Sequence, residues 1–345
     1  MSKQIKVGSV LVGGGAPVSI QSMTNTRTDD VAATLAQIRA LATAGCEIAR
    51  VAVPDMEAAK AVGKLKEDSP LPIVVDIHFD YRLALEAIAA GADKVRINPG
   101  NIGGEDRVKA VADACRLRGI PIRIGVNGGS LEKPLLEKYG GVCPEAMVES
   151  AFGHIRLLEK FDFDDICVSL KSSSVPMTMK AYQLMHQQSN YPLHIGVTEA
   201  GTVKMGTLKS AVGIGGLLAL GIGDTMRVSL SADPVEEIVA ARDILKAAGV
   251  RKEGAELVSC PTCGRTRIDL IALANEVEER LKGVNKDITV AVMGCVVNGP
   301  GEASAADCGI AGGIGEGLLF QKGQIVKKVP QEQLVEELFT LIDTL

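Results

Sequence analysis

The chain contains no tryptophan, and with four tyrosines and six phenylalanines its aromatic content is only 3%. Stacking platforms for nucleic-acid bases are therefore poorly supported. There is no basic excess either: 37 Lys and Arg stand against 42 Asp and Glu, a net charge of −5. That argues against a general nucleic-acid binder but leaves room for a local cationic pocket. No run of about 18 uncharged apolar residues appears, so no membrane span is expected. Residues 1–6 lack the apolar region of a signal peptide. Eight cysteines in 345 residues are too few for a disulfide scaffold. They fit core residues, metal ligands or catalytic thiols in a reducing cytoplasm.

What is present is a large apolar fraction, 46%, with 23% charged residues, enough for a sizeable core. Apolar β-branched runs at 18–23, 48–53, 73–77, 94–98, 120–126, 166–171, 193–198 and 225–230 alternate with amphipathic stretches. Val31, Leu35, Ile38 and Leu41 form one helical stripe; Val235, Ile238, Val239, Ile244 and Leu245 form another. Strict alternation predicts parallel strands joined by right-handed crossovers. Eight such units match an α/β fold of the (β/α)8 TIM-barrel type over 1–250. A doubly wound sheet is the runner-up, but no G-x-G-x-x-G or P-loop motif occurs. After the polar stretch Arg251-Lys252-Glu253-Gly254 the order changes. A helix near 269–281, a strand near 288–293, short strands around 309–314, 317–320 and 324–329, and a C-terminal helix predict a smaller α+β domain over 251–345.

Active sites of such barrels lie at the C-terminal strand ends. Those ends carry Arg50, Asp76 and His78, Arg96 and Asn98, Arg123, Gly125 and Asn127, Ser169 and Lys171, Thr198 and Glu199, and Arg227 and Ser229. Residues two apart on a strand share a face, so these polar sets point together into the barrel. Four Arg and one Lys would repel one another unless anions or carboxylates neutralise them. Asp76 and Glu199 are too few to do so. A diphosphate would suffice, and Arg presents a donor fork suited to phosphate oxygens. His194, near a strand start, reads as structural.

Cys260-Pro261-Thr262-Cys263 and a remote Cys295 have the spacing of a metal site. Either Cys308 or Glu302 would complete it, and zinc and an iron–sulfur cluster both remain open on spacing alone. Gly and Pro around Cys295 favour a loop whose N–H groups approach cluster sulfurs. Cys46, Cys115, Cys143 and Cys167 are scattered and read as small core residues.

The longer motifs carry a resemblance. They are Gln21-Ser22-Met23-Thr24-Asn25-Thr26, Val75-Asp76-Ile77-His78-Phe79, Val95-Arg96-Ile97-Asn98-Pro99-Gly100-Asn101-Ile102-Gly103, Arg123-Ile124-Gly125-Val126-Asn127, Leu193-His194-Ile195-Gly196-Val197-Thr198-Glu199-Ala200-Gly201, Ser259-Cys260-Pro261-Thr262-Cys263-Gly264-Arg265-Thr266 and Gly294-Cys295-Val296-Val297-Asn298-Gly299-Pro300-Gly301-Glu302. In this order they resemble the bacterial 4-hydroxy-3-methylbut-2-enyl diphosphate synthase family of the non-mevalonate isoprenoid pathway, in its shorter two-domain form. The resemblance implies reductive ring opening of 2-C-methyl-D-erythritol 2,4-cyclodiphosphate. It implies two single electrons from flavodoxin or ferredoxin, passed through a 4Fe–4S cluster on Cys260, Cys263, Cys295 and Glu302, with Asn298 close by. Glu199 would then move a proton to the departing hydroxyl. A phosphate-binding barrel lyase or transferase with a structural zinc site is the alternative, and a cluster carrier without catalysis is a third possibility.

A linker of about 5–8 residues reaches at most roughly 18–29 Å. A barrel helix of ~15 residues already covers about 22 Å. A cluster domain tethered at the far face therefore caps a neighbour's barrel more easily than its own. The expectation is a head-to-tail homodimer with shared active sites.

Overall fold

The computed structural model describes residues 1–98, 100–252, 254–295 and 303–345. Its contacts divide the chain into two compact units, Met1–Arg251 and Lys252–Leu345.

The first unit opens with a hairpin, β1 (Ile5–Val7) and β2 (Val10–Val12), turning at Gly8 with a φ of 58°. Eight parallel strands follow: β3 (Ser19–Met23), β4 (Ile48–Ala52), β5 (Ile73–Asp76), β6 (Lys94–Ile97), β7 (Ile122–Asn127), β8 (Ile166–Lys171), β9 (His194–Ile195) and β10 (Thr225–Met226). They lie in the order β8-β7-β6-β5-β4-β3-β10-β9, and a parallel bridge between Val168 and Leu193 joins the two ends. This is the (β/α)8 barrel that the alternation of runs predicts.

The helices owe their limits to local chemistry. Helix Val31–Ala44 starts where the Asp30 carboxylate accepts from the Ala33 N–H, and it stops at Gly45, whose φ is 104°. Its Leu35, Ile38 and Leu41 face the strands. Full burial of Ile38 and of Leu41 stabilises the packing by roughly 1.5–3 kcal/mol each.

Two features differ from expectation. The β1–β2 hairpin escapes detection because three-residue strands are too short to show a period. Its Ile5, Val7 and Val12 pack on Ile48, Val74 and Cys167, which lie at or near the starts of their strands, so it seals the N-terminal end of the barrel. β9 and β10 are also shorter than the apolar runs suggest, two residues each. Regular pairing stops at Gly196, where a Cβ would stand 2.7 Å from the Arg227 carbonyl oxygen and 2.9 Å from Lys171 Nζ.

The second unit is a five-stranded sheet of β11 (Glu256–Ser259), β12 (Thr289–Met293), β13 (Cys308–Gly312), β14 (Glu316–Gln321) and β15 (Gln324–Pro330), in sequence order. β11, β12 and β13 run parallel; β14 and β15 return antiparallel. Helices Leu270–Leu281 and Leu334–Thr344 supply Val277, Leu281, Leu334 and Leu338 to a core with Val290, Val292 and Ile310. β11 is an edge strand without a fully buried residue, so it shows no apolar alternation and was not expected. Among the described residues no helix is long and apolar enough to cross a membrane.

Candidate active site

The barrel's inward-facing residues form one electrostatic cluster. Asp76 on β5 lies opposite Arg96 on β6, and Arg96 opposite Arg123 on β7. Arg96 Nη1 donates to Asp76 Oδ1 at 3.0 Å. Arg50 Nη2 and His78 Nε2 each lie 3.7 Å from Asp76 Oδ2. Burial opposes ionisation of Asp76, but Arg50, Arg96 and Arg123 outweigh it and hold the carboxyl at about 2. Arg50 also points Nη2 at the Met23 sulfur, 2.7 Å away, and Arg227 Nη1 approaches the same sulfur at 3.9 Å.

The cations outnumber their partners. Arg123 is 1% exposed, and its Nε and Nη1 have no hydrogen-bond partner among the described residues. Burial, then the Arg96 charge, lowers it to about 10. Lys171 at the end of β8 is pushed well below the ordinary lysine range by burial, then by Arg123, Arg50 and Arg227. Two glycines make room for these groups. A Cβ on Gly125 would stand 2.5 Å from Arg96 Nε, and one on Gly196 would meet the Lys171 ammonium.

Asn98 is buried, and its Oδ1 accepts from the Gly100 N–H at 3.1 Å. Asn127 ends β7 opposite Lys171. Thr198 and Ser229 are half-buried, and Glu199 is exposed. Glu199 has a φ of 52°, a left-handed backbone that a non-glycine residue adopts only under constraint.

Strand-end position does not mark two buried charged residues that accompany the cluster. Glu237, on helix Pro234–Ala247, takes Arg227 Nη2 at 3.1 Å and Nε at 3.3 Å, the Ser22 hydroxyl at 2.8 Å and the Leu230 N–H at 3.1 Å. The expectation that only Asp76 and Glu199 could offset the cations is therefore corrected. Glu237 lies on a helix, outside the strand-end pattern. Lys94, buried on the face it shares with Arg96, was overlooked although the same two-residue alternation marks it. Arg50, Lys94, Arg96, Arg123, Lys171 and Arg227 thus face only Asp76 and Glu237 among the buried carboxylates of this interior. His194 is buried beneath them; its Nδ1 lies 3.4 Å from Thr225 Oγ1, and burial among cations keeps the ring neutral.

In the second unit Cys260 and Cys295 lie just past the C-terminal ends of adjacent parallel strands. Ser259 is opposite Val292, so the chain leaves the sheet at the same edge on both. The Gly294 N–H donates to Cys260 Sγ at 3.2 Å, and the Arg267 N–H ties back to the Gly294 carbonyl at 3.1 Å. Cys263 is exposed, and the Arg265 N–H is the main group lowering its thiol below the usual range. An N–H aimed at sulfur and a thiol biased toward thiolate suit metal ligation. Among the described residues no three His, Cys, Asp or Glu side chains converge on one point. Asn298 and Glu302 lie outside the described residues.

Cys308 belongs elsewhere. It opens β13 opposite Val290, and Met293, where β12 ends, is three residues further on. That is about 10 Å along the strand. It is buried, with its thiol pushed up to about 11. Cys46, Cys115 and Cys167 are buried thiols, whereas Cys143 is half-buried and caps helix Pro144–Glu159 by accepting from the Ala146 N–H. For Cys143 the expectation of a core residue is therefore corrected.

A family model described as the GcpE TIM-barrel domain matches residues 2–242, and one described as the GcpE protein C-terminal domain matches residues 256–344. A protein of Ruminiclostridium cellulolyticum, named 4-hydroxy-3-methylbut-2-en-1-yl diphosphate synthase (flavodoxin), is 61% identical over 337 residues, covering 98% of this chain and 96% of its own. A protein of the same name from Clostridium acetobutylicum is 59% identical and covers 100% of this chain and 99% of its own. Among solved structures, a truncated 3-deoxy-D-arabino-heptulosonate 7-phosphate synthase from Thermotoga maritima aligns with a TM-score of 0.52 at 11% identity, over 72% of this chain and 94% of that one. That likeness concerns the fold alone.

Proposed function

The chain belongs to the GcpE family, and on that premise we propose how its two units divide the work of one reductive reaction. It is an oxidoreductase of isoprenoid precursor synthesis that converts 2-C-methyl-D-erythritol 2,4-cyclodiphosphate to (E)-4-hydroxy-3-methylbut-2-enyl diphosphate. The observation that carries the proposed division is the barrel's cation excess, which Asp76 and Glu237 leave unneutralised.

In this reading the barrel, 1–250, holds the cyclodiphosphate. Arg50, Arg96, Arg123, Lys171 and Arg227 bind its phosphate oxygens, and Asp76 fixes the fan of guanidinium groups. His78, Asn98, Asn127, Thr198 and Ser229 hydrogen-bond the hydroxyls and outer oxygens. Glu199, exposed at the mouth, delivers a proton to the hydroxyl that leaves as water.

The second unit, 251–345, is an iron–sulfur domain. Cys260, Cys263, Cys295 and Glu302 would hold a 4Fe–4S cluster, with Asn298 beside it. When bound, the cluster supplies two low-potential electrons one at a time, from flavodoxin or ferredoxin. The relatives' names specify flavodoxin. A structural zinc would offer no such electrons. We place the enzyme in the cytoplasm, whose reducing environment suits eight cysteines with no disulfide among them.

Anaerobic iron and sulfide analysis with an absorption spectrum tests the cluster; colourless protein containing zinc would overturn it. Binding tests the barrel. Arg96→Ala or Arg123→Ala is expected to weaken substrate binding by on the order of 1.5–3 kcal/mol, or roughly 10- to 150-fold, without loss of iron. Unchanged binding in both would remove these side chains from the site.

We further propose a head-to-tail homodimer with shared sites. Met205, Leu208 and Val212 are each more than half exposed and follow helical spacing, an apolar stripe suited to a second copy. Mixing Cys260→Ser chains with Arg123→Ala chains should restore about one working site per heterodimer. Full activity in a monomer would reject this arrangement.

A further inference from the structure

Lys94 is the most deeply placed cation of the barrel and the least accounted for. It lies on β6 two residues before Arg96, so it shares that residue's inward face one tier lower. It is completely buried, and Nζ has no hydrogen-bond partner among the described residues. The groups that act on it are Arg123 on β7, Arg50 on β4 and Cys167 on β8; His194 on β9 feels its charge in turn. None of these supplies a negative charge, because burial keeps the Cys167 thiol protonated and His194 neutral. Nearby, Arg123 Nε and Nη1 are unpartnered donors as well.

An unpaired buried ammonium is costly, and a lysine, unlike an arginine, escapes the cost by losing its proton. We propose that Lys94 is the floor of the barrel's anion site, only partly protonated in the free protein at mildly alkaline pH and fully protonated when a cyclic diphosphate binds above it, so that anion and proton enter together. The inference rests on the barrel being the diphosphate site. Burial brings Lys94 to about 8, so near that pH about half of the free molecules carry the lysine uncharged. A dianion one tier above restores the charged form. The ligand itself does not titrate there: each phosphorus of the cyclic diphosphate has one strongly acidic hydroxyl, so its charge is constant. A proton taken up therefore lands on the protein.

The test is calorimetric titration of the holoenzyme with 2-C-methyl-D-erythritol 2,4-cyclodiphosphate, without electron donor, in buffers of differing ionisation enthalpy. The wild type should take up at least about half a proton near pH 8, with any share from Lys171 added to that of Lys94, and bind more weakly as the pH rises from about 7 to 9. Lys94→Met, which keeps the stem's length, should take up about half a proton fewer, show a weaker pH dependence and bind on the order of 10-fold more weakly at pH 7. Lys94→Arg should bind well with the same reduced uptake, because its charge is permanent. No uptake in the wild type, or equal uptake in Lys94→Met, would overturn the proposal, the latter by placing the proton on another group such as Lys171. Circular dichroism confirms that each variant is folded. Arg96→Ala in the same titration separates the two readings: undiminished binding there would reject the barrel site itself rather than the role of Lys94.

Discussion

Replacing Cys260, Cys263 or Cys295 with serine is expected to leave protein with little or no bound iron and no turnover, while Cys308→Ala retains both. The parallel register of β11 and β12 delivers Cys260 and Cys295 to one sheet edge, where the Gly294 N–H already points at the Cys260 sulfur. Cys308 begins its strand at the other end, buried in the core. Losing one of three thiolates removes a strong ligand, whereas trimming Cys308 removes one buried sulfur and costs some stability. Glu302→Ala should keep most of the iron, alter the absorption spectrum and largely abolish turnover. Iron and sulfide per chain, measured anaerobically, decide the matter. Full loading in Cys295→Ser, or loss of iron in Cys308→Ala, would mean a different ligand set.

A single methyl group should be nearly as damaging in the barrel. In Gly125→Ala the new Cβ would lie 2.5 Å from Arg96 Nε, 2.8 Å from Nη2 and 3.0 Å from Cζ. The obstacle is the end of a flexible side chain, so the barrel should still fold, with the guanidinium displaced. Arg96 would then leave both Asp76 and the ligand. Substrate affinity should fall on the order of 100-fold, the loss of charge-assisted contacts, with iron content unchanged. Gly153→Ala is the control. That glycine lies in helix Pro144–Glu159 with nothing near its Cβ position, so alanine should be neutral or stabilise by roughly 0.5–1 kcal/mol. Wild-type affinity in Gly125→Ala would show that Arg96 binds from a different position.

The barrel was legible because its code is periodic. Alternating runs and stripes such as Leu35, Ile38 and Leu41 record which face each element buries, and two-residue spacing on the strands groups Arg96 with Asn98 and Asp76 with His78. The same spacing marks Lys94, which was overlooked because it lies below the strand end. Glu237 was not legible at all, since its approach to Arg227 depends on how a helix packs across β10 and β3. The choice between Cys308 and Glu302 stays open on spacing for a related reason. Chain distance says nothing about which end of a sheet a residue occupies; the register of β12 against β13 does. β11, with only Leu257 half-buried, carries no periodic signal to read.

The hairpin across the barrel's N-terminal end has a kinetic meaning. Ile5, Val7 and Val12, seated on Ile48, Val74 and Cys167, cover the barrel floor beneath the cation cluster among the described residues. A passage open at both ends would let product drain away while the next substrate enters. With the arginines holding the diphosphate of both molecules, as proposed, substrate and product would share the open end of the barrel. Product would then have to withdraw before the next substrate enters, and the cations proposed to capture substrate would slow the product's departure. Added product is therefore expected to compete with substrate for the free enzyme.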